Sequence, residues 1–168
     1  GEVFEFITDL DCAPFPDWEL IDMDEYATEK GRKKSIGEAK NSRLASLITS
    51  RGCPYNCTFC SSHTVHGKRM RFRSVDNALA EVKELYEKYG ATLFIPEDDL
   101  FTAKKERFLG MLSGMRGLGI PGLELQFPNA LRVNDLDEEM IDALVDSGQK
   151  VVVLAVESGS AKVQKLIK

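Results

Sequence analysis

From residue 43 onward, short apolar runs alternate with longer stretches in which apolar residues recur every three or four positions. The short runs indicate strands, and the longer stretches indicate helices with one apolar face. This order predicts an α/β fold, in which a parallel sheet is built from βα units with right-handed crossovers. The four predicted strands are RLASLITS, ATLFIP, GLELQF and KVVVLAV, at residues 43–50, 91–96, 122–127 and 150–156.

Residue types at the ends of the longer stretches predict where the helices begin. Ser74 and Thr102 each stand before an apolar helical pattern, where their side chains would serve as N-caps. Asp135 and Glu138 have the spacing of a capping box before a third helix. Ser160 opens a fourth helix near the end of the chain. The helix signals therefore agree with the order of βα units.

Four βα units make up about half of a TIM-type barrel, which takes ~250 residues in its closed form. The chain of 168 residues is therefore predicted to form a partial (β/α) barrel. The run at 150–156 is apolar without alternation, as expected of a parallel strand that is buried on both faces. An apolar strand at an open edge recruits other chains. We therefore expect more chain, or self-association with a second copy, to cover this fourth strand.

Residues 1–42 lack a clear period and are predicted to form an irregular connector, a strap that lies on the core. Pro14 and Pro16 stand there among scattered large apolar residues. The segment 29–42 is polar and contains glycine, which is the composition of a mobile loop. Residues 43–168 form the second predicted unit, which carries the four strands.

The balance of charges argues against two classes of partner. The chain has 22 Lys and Arg against 27 Asp and Glu, for a net charge of −5. Binding to nucleic acid or to a membrane surface needs a concentrated basic face, so neither partner is predicted. No apolar run approaches the ~20 residues of a membrane span, and no secretory leader opens the chain, so we expect a cytoplasmic protein. The basic run at 67–73 is either a solvated loop or a contact for an anionic ligand.

Three of the four cysteines, Cys53, Cys57 and Cys60, follow the first predicted strand with the spacing C-x3-C-x2-C. Ligand sites in parallel α/β folds lie at the carboxyl ends of the strands, so this loop is well placed for chemistry. Soft thiolate ligands select zinc or iron–sulfur clusters. A [4Fe–4S] cluster on these three cysteines would leave one iron open for a small ligand.

Two other interpretations of the cysteines remain open on the spacing alone. With His63 as a fourth ligand, they would form a Cys3His zinc site in a non-catalytic module for structure or protein interaction. A disulfide with one free thiol is the third interpretation, although these separations would strain the bond and a reducing cell disfavours it.

The sequence RGCPYNCTFCSS resembles the cluster loop of the radical S-adenosylmethionine (radical SAM) superfamily, including the aromatic Phe59 before the last cysteine. The similarity continues well beyond this loop. The chain resembles the Fe–S oxidoreductases in which a cobalamin-binding domain accompanies the radical SAM domain. Residues 9–26 resemble the connector between these two domains. The further segments that carry the resemblance are GKRMRFRSVDNALAEVKEL, EDDLFT, LRVNDLDEEMIDALVDSG and AVESGS.

This resemblance implies an open-sided parallel barrel, with residues 43–168 as the N-terminal part of its core. It further implies a [4Fe–4S] cluster on the three cysteines, with S-adenosylmethionine bound at the remaining iron. One electron from a donor such as flavodoxin or ferredoxin would cleave S-adenosylmethionine to a 5′-deoxyadenosyl radical, for hydrogen abstraction or methyl transfer. Cobalamin is a further cofactor expected of the full-length protein. The family core continues beyond four strands, so we expect the chain to be a fragment without activity of its own.

The acidic residues after the second predicted strand are candidates for contacts with S-adenosylmethionine. By resemblance, one of Glu97, Asp98 and Asp99 would accept a hydrogen bond from the ammonium group of this cofactor. The glycine pair that many relatives have at this place is absent. The alternative is that these acids favour the positive end of the following helix dipole.

Five more residues complete the expected cofactor site. Glu157 and Ser158 follow the fourth strand and by resemblance lie near the ribose or the carboxylate of S-adenosylmethionine; the alternative is a plain turn from strand to helix. Arg132 either forms a bidentate pair with a carboxylate or forms an ordinary salt bridge. Tyr55 and Phe59 of the cysteine loop are the remaining candidates.

Overall fold

The computed structural model describes residues 5–27 and 42–167, in which strands and helices alternate. The strands are β1 (Leu44–Leu47), β2 (Ser50–Arg51), β3 (Arg71–Phe72), β4 (Leu93–Pro96), β5 (Glu124–Leu125), β6 (Leu131–Arg132) and β7 (Leu154–Ala155). The helices are α1 (Met23–Tyr26), α2 (Ser62–His66), α3 (Val75–Tyr89), α4 (Lys105–Gly117), α5 (Glu138–Asp146) and α6 (Ala161–Ile167). Short 3-10 helices lie at Leu10–Cys12, Trp18–Leu20 and Val133–Asp135. None of the described helices has the length and apolar composition needed to cross a membrane.

The parallel strands form two separate groups. β1, β4 and β5 pair in the order β1-β4-β5 into a three-stranded parallel sheet, in which Leu44 lies opposite Leu93 and Phe94 opposite Leu125. β6 and β7 form a parallel pair of their own. β2 and β3 form an antiparallel pair, and the segment between them contains the cysteine loop and α2. The predicted α/β class with parallel strands is confirmed, and the strands of the described residues do not close into a barrel.

The first predicted strand, residues 43–50, is interrupted in the structure. β1 ends at Leu47 and β2 begins at Ser50. Between them, the carboxylate of Asp98 accepts hydrogen bonds from the backbone N–H of Thr49 at 2.6 Å and from its hydroxyl at 2.5 Å. These bonds turn the chain away from the sheet and toward β3. The apolar run did not reveal the turn because its cause lies 49 residues further along the chain.

The main core lies between the three-stranded sheet and the helices α3, α4 and α5. Phe94 of β4 and Phe108 of α4 are fully buried in it. The helices α3 and α4 approach closely because Gly114 has no side chain: a Cβ at this position would lie 2.3 Å from Cδ1 of Leu79. This packing holds the helices on one face of the sheet and leaves the carboxyl ends of the strands free at one edge.

Helix starts that depend on local contacts agree with the sequence prediction. Ser74 caps α3, because its hydroxyl accepts a hydrogen bond from the backbone N–H of Asn77 at 3.1 Å. Ser160 stands before α6, where its hydroxyl accepts from the backbone N–H of Val163 at 3.4 Å. In both cases the donor lies three residues after the cap, as the sequence signal assumes.

Two other predicted caps are wrong. α4 begins at Lys105, and the hydroxyl of Thr102 donates to the carboxylate of Asp135 at 3.1 Å instead of capping the helix. α5 is capped by Asp137, whose carboxylate accepts from the backbone N–H of Met140 at 3.0 Å. Hydrogen bonds between distant parts of the chain therefore use the side chains that the local pattern assigned to capping.

The fourth predicted strand is short, and it is not buried on both faces as the pattern suggested. Only Leu154–Ala155 of the run at 150–156 form a strand. Val151, Leu154 and Val156 are 47%, 45% and 54% exposed. The expectation of a fully buried strand is wrong for the described residues, because β7 pairs there with β6 alone and stands apart from the three-stranded sheet.

The described part of the strap, residues 5–27, lies against the antiparallel pair of β2 and β3. The guanidinium of Arg71 in β3 lies 4.5 Å from the centre of the Phe6 ring and donates to the carbonyl of Ile7 at 3.1 Å. The predicted loop at 29–42 lies, except for Ser42, outside the described residues. The boundary between strap and core at residue 42 stays a prediction.

The basic run at 67–73 is structural at two of its positions. Arg71 and Arg73 are 7% and 8% exposed. Arg73 forms an ion pair with the buried Glu81 of α3, and Arg71 donates to the carbonyl of His66 at 2.6 Å. These contacts hold β3 between α2 and α3, so the run as a whole is not a solvated loop.

Candidate functional site

A cavity of about 370 Å³ opens beside the carboxyl ends of β4, β6 and β7. This volume lies in the range of ~300–1,000 Å³ that is usual for small-molecule sites. The segment between β2 and α2 forms one wall, to which all three clustered cysteines contribute. Of the other residues predicted to bind a cofactor, the cavity is lined by Tyr55, Phe59, Asp99, Arg132 and Glu157.

The three clustered cysteines are free thiols, so the disulfide interpretation receives no support. Cys53 and Cys57 are half-buried, and Cys60 is exposed. The backbone N–H of Cys53 donates to the carbonyl of Gly67 at 3.2 Å, and that of Cys60 donates to the carbonyl of Cys57 at 3.1 Å. These backbone bonds keep the loop compact while its thiols line one cavity.

The described residues form no complete single-ion site beside the thiols. Zinc needs four ligands within ~2.0–2.3 Å of one point, and no three His, Cys, Asp or Glu side chains of the described residues converge in this way. An iron–sulfur cluster binds its thiolates at separate irons, so the sulfurs need only face a shared space. His63, the fourth ligand of the zinc interpretation, lies on α2 and is not part of the cavity lining. The zinc module is therefore not favoured.

The thiol of Cys53 is partly buried by the fold. Burial raises the pKa of Cys53, a backbone hydrogen bond from Tyr55 opposes the rise, and the negative charge of Asp99 adds to it. The net pKa lies above the ordinary value, so this thiol is protonated at neutral pH while it binds no metal. Thiol ligands bind metals as thiolates, and binding at Cys53 would therefore release a proton.

Three hydrogen-bonding groups converge on Asp99 at the end of β4. The hydroxyl of Ser62 donates at 2.5 Å, Nδ1 of His66 lies at 2.7 Å, and the backbone N–H of Gly52 donates at 3.2 Å. Burial raises the pKa of Asp99, but the hydrogen bonds from Ser62 and His66 outweigh this effect and hold the pKa below its usual value. Asp99 is therefore ionised at neutral pH and connects both ends of the cysteine loop to β4. Its bond to the ammonium group of S-adenosylmethionine stays a prediction.

The two neighbouring acids lie outside the cavity lining among the described residues. Asp98 is 6% exposed, and besides Thr49 it accepts a hydrogen bond from the hydroxyl of Ser50 at 2.7 Å. Glu97 accepts from the hydroxyl of Ser46 at 3.3 Å and from Nδ2 of Asn129 at 3.1 Å. In the structure, Asp98 therefore fixes the turn between β1 and β2, and Glu97 connects β1 to the segment before β6.

Asp135 is a residue of the site that the sequence analysis assigned to helix capping. Its carboxylate accepts hydrogen bonds from the hydroxyl of Tyr55 at 3.0 Å, from Nη1 of Arg132 at 3.0 Å and from the hydroxyl of Thr102 at 3.1 Å. The Arg132 guanidinium also lies 3.7 Å from the centre of the Tyr55 ring, as in a cation–π contact. Burial and the bond to Asp135 raise the pKa of Tyr55, so the hydroxyl stays a donor. No signal in the sequence indicated this role, because β6 was not among the predicted strands and the spacing from Asp135 to Glu138 indicated a helix cap.

The end of β7 contributes backbone strain to the cavity wall. Glu157 has φ 61° and Ala130, which also lines the cavity, has φ 65°, a left-handed conformation that costs a non-glycine residue ~1–3 kcal/mol. Ser158 lies outside the lining, and its hydroxyl accepts from the backbone N–H of Ser160 at 3.1 Å in the turn into α6. Glu157 thus reaches the cavity, while the expected contact of Ser158 with the cofactor stays a prediction.

Comparison with known families gives the class of this protein. Residues 47–168 match the family model of the Radical SAM superfamily. The match covers most of the chain, and the chain therefore belongs to the radical SAM superfamily, as its sequence motifs suggested. The cofactors of this superfamily, a [4Fe–4S] cluster and S-adenosylmethionine, agree with three free thiols beside a cavity.

Curated relatives include enzymes named as methyltransferases. The chain is 34% identical to cytidylyl-2-hydroxyethylphosphonate methyltransferase of Streptomyces wedmorensis over 94% of its own length and 28% of that protein. It is 31% identical to an uncharacterized methyltransferase of Pyrococcus horikoshii over 96% of its own length and 32% of that protein. The chain thus spans about a third of the length of these relatives or less.

Solved structures with the same fold include two radical SAM proteins. The cobalamin-dependent S-adenosylmethionine radical enzyme OxsB, described with aqua-cobalamin and S-adenosylmethionine bound, matches with a TM-score of 0.57 at 22% identity, over 73% of this chain and 19% of that one. The methyltransferase TsrM from Kitasatospora setae, described with tryptophan and a SAM analogue bound, matches with a TM-score of 0.55 at 23% identity, over 62% of this chain and 20% of that one. At these identities the likeness shows the fold, and the prediction of a partial barrel is confirmed.

Proposed function

We propose that the chain is the N-terminal part of a radical SAM enzyme core, in which Cys53, Cys57 and Cys60 hold a [4Fe–4S] cluster. The observation that carries the proposal is the shared cavity: three free thiols of one loop line the same space as polar side chains from three later segments. When bound, the cluster supplies the electron that cleaves S-adenosylmethionine to a 5′-deoxyadenosyl radical. The chain itself holds, orients and shields the cofactors.

The walls of the cavity suit the charged ends of S-adenosylmethionine. The Arg132 guanidinium lines the cavity and can donate to a carboxylate. Asp99 and Glu157 supply carboxylates on other walls, which favour an ammonium group or accept from ribose hydroxyls. Phe59 and Tyr55 add aromatic surface beside the thiols. We assign these five residues to binding and orientation of S-adenosylmethionine.

Methyl transfer is the reaction we favour for the whole protein. Two curated relatives that cover nearly all of this chain are named methyltransferases, and two solved neighbours are described with cobalamin bound. In this proposal the whole protein uses cobalamin besides the cluster, and a donor such as flavodoxin or ferredoxin supplies the electron. Hydrogen abstraction without methyl transfer is the other outcome of the same radical.

The test is anaerobic reconstitution of the protein with iron and sulfide, followed by an absorption spectrum and metal analysis. We expect an absorption band near ~400 nm and about four irons per chain, as for thiolate-bound clusters. Replacing any one of Cys53, Cys57 and Cys60 by alanine should abolish the band. Cys12→Ala is the matched control, because Cys12 lies in the strap outside the cavity lining.

One further variant separates the cluster from a zinc site. His63→Ala should leave iron binding unchanged in a three-cysteine cluster and should weaken metal retention in a Cys3His site. A colourless protein that holds one zinc per chain and loses it on His63→Ala would overturn the proposal.

A further inference from the structure

A backbone N–H group is directed at a sulfur of the cysteine loop. The N–H of Ser62 donates to Sγ of Cys60 at 3.5 Å. Tyr55 lies in the same loop, between Cys53 and Cys57, and lines the cavity beside their thiols. Hydrogen bonds to thiolate sulfurs are one of the factors that set the reduction potential of an iron–sulfur cluster. The positions of Tyr55 and Ser62 therefore matter for any cluster that these thiols bind.

The side chain of Ser62 is fixed by Asp99. The Ser62 hydroxyl donates to Asp99 at 2.5 Å, while the other carboxylate oxygen accepts from the N–H of Gly52, directly before Cys53. The side chain of Asp99 is 15% exposed, so little water competes for these bonds. Asp99 thus holds the donor to Cys60 in place relative to β4.

The side chain of Tyr55 is fixed in a similar way by Asp135. The Tyr55 hydroxyl donates to Asp135 at 3.0 Å, and the Asp135 side chain is 13% exposed. Thr102 and Arg132 donate to the same carboxylate, and the Arg132 guanidinium covers the Tyr55 ring. The loop between Cys53 and Cys57 is therefore held relative to β6.

We infer that Asp99 and Asp135 are positioning residues for the cluster loop: Asp99 holds Ser62, whose backbone N–H donates to the sulfur of Cys60, and Asp135 holds Tyr55, which lies in the loop between Cys53 and Cys57. This inference rests on the proposed function for its effect on the cluster. Neither acid touches a sulfur in this arrangement; each acts through one intermediate, Ser62 or Tyr55. The two acids come from different βα units, so the geometry of the thiols depends on the packing of β4 and β6.

The first test uses variants that remove a hydroxyl without changing any charge. Ser62→Ala keeps the backbone N–H but loses its anchor, so the hydrogen bond to the sulfur of Cys60 weakens. Tyr55→Phe loses the bond that fixes the loop between Cys53 and Cys57, so their thiolates are held less firmly. Either change should remove stabilisation from the reduced cluster. In an EPR-monitored redox titration of the reconstituted protein, we expect the ratio of reduced to oxidised cluster at fixed potential to fall by up to about tenfold, a shift of about 59 mV for a one-electron couple. Loss of iron to a chelator should be about 10-fold faster.

Matched controls separate this effect from a general loss of stability. Ser61→Ala removes the neighbouring hydroxyl, which makes no capping hydrogen bond, and Tyr86→Phe removes a tyrosine hydroxyl on α3. Both should leave the potential unchanged. Ser62→Ala should also add nothing to Asp99→Asn, and Tyr55→Phe nothing to Asp135→Asn, because residues that act as one unit are not additive. Unchanged potentials in Ser62→Ala and Tyr55→Phe, or full additivity in the double variants, would overturn the inference.

A second measurement needs no cofactor. In the cofactor-free protein, hydrogen exchange at the amide of Ser62 should be faster in Asp99→Asn, and exchange at the amide of Cys53, which donates to the carbonyl of Gly67, should be faster in Asp135→Asn. Exchange in α3 should be unchanged. Equal exchange in parent and variants would contradict the inference even if the parent binds a cluster. If the parent binds no cluster, the proposed function fails, and faster exchange in the variants would still support the positioning roles.

Discussion

β4 of the three-stranded sheet and β7 of the other parallel pair both lie in apolar runs, but their surroundings differ. In the three-stranded sheet, Leu93, Phe94 and Ile95 of β4 are 0% exposed. In the β6–β7 pair, Leu154 is 45% exposed. The helices α3 and α4 cover one face of β4, and Tyr26 of the strap packs on the other. Within the described residues, β7 has no comparable cover.

This difference shows that burial is supplied by the neighbours of a strand and not by its own composition. A buried Leu or Phe side chain contributes ~1.5–3 kcal/mol relative to an exposed one, so β4 stabilises the fold far more than β7 does. The cavity lies between the two groups. It therefore has a firmly packed wall at the end of β4 and a weakly packed, strained wall at the end of β7.

The largest expected effect is on the free energy of unfolding, when one apolar side chain in each group of strands is truncated to alanine. Phe94→Ala should lower the free energy of unfolding by ~3–5 kcal/mol, because it leaves a cavity in a closed core. Leu154→Ala should lower it by less than ~1 kcal/mol, because the side chain is already half in water. Urea unfolding followed by circular dichroism measures both values. Equal losses would mean that β7 is covered in solution.

A smaller effect concerns α5, which connects β6 to β7. A hydrogen bond from Lys105 lowers the pKa of Asp137, the cap of this helix, below its usual ~3.9. A pKa that is lower in the folded state stabilises the fold above the unfolded pKa, and this contribution is lost as the pH falls through the folded value. As the pH falls from 7 to 3, the free energy of unfolding should therefore decrease less in the Asp137→Asn variant than in the parent protein.

Urea unfolding at several pH values checks this prediction. Asp142→Asn, an exposed position of the same helix, is the matched control and should follow the parent. If the curves of Asp137→Asn and the parent run parallel down to pH 3, the ion pair with Lys105 contributes nothing to stability.

The smallest effect concerns the exposed edge at β7. Exposed strand edges pair with other chains, and we propose weak self-association through β7. Light scattering should show a mass that rises with protein concentration, and Leu154→Lys should return it to the monomer. Val145→Lys, at a 65% exposed position of α5, is the control. A monomeric parent at high concentration would contradict the proposal.

The sequence predicts features whose cause is local. The cap at Ser74 is correct because its donor, Asn77, lies three residues away. The loop with Cys53, Cys57 and Cys60 was predicted from spacing alone, because three thiols within eight residues cannot lie far apart. The order of the longer elements follows equally from periods that each segment carries within itself, whereas the short elements α2, β3 and β6 were not predicted.

Features whose cause lies far away along the chain could not be predicted from the sequence. Thr102 and Asp135 looked like caps, but each takes part in hydrogen bonds with a partner 33 or more residues away. The turn after β1 depends on Asp98 in the next βα unit. The pairing of β7 with β6 could not be predicted either. An apolar parallel strand could equally have paired with the edge of the three-stranded sheet.

The contacts that hold the cysteine loop also have a consequence for the order of assembly. Tyr55 and Asp135 are 80 residues apart, and Ser62 and Asp99 are 37 apart. Contacts of such long range form late, because the chain between them must be ordered first. During synthesis the thiols leave the ribosome well before the acids that will hold the loop. We therefore expect an interval of loose, reactive thiols, and cluster insertion only after the third βα unit has folded.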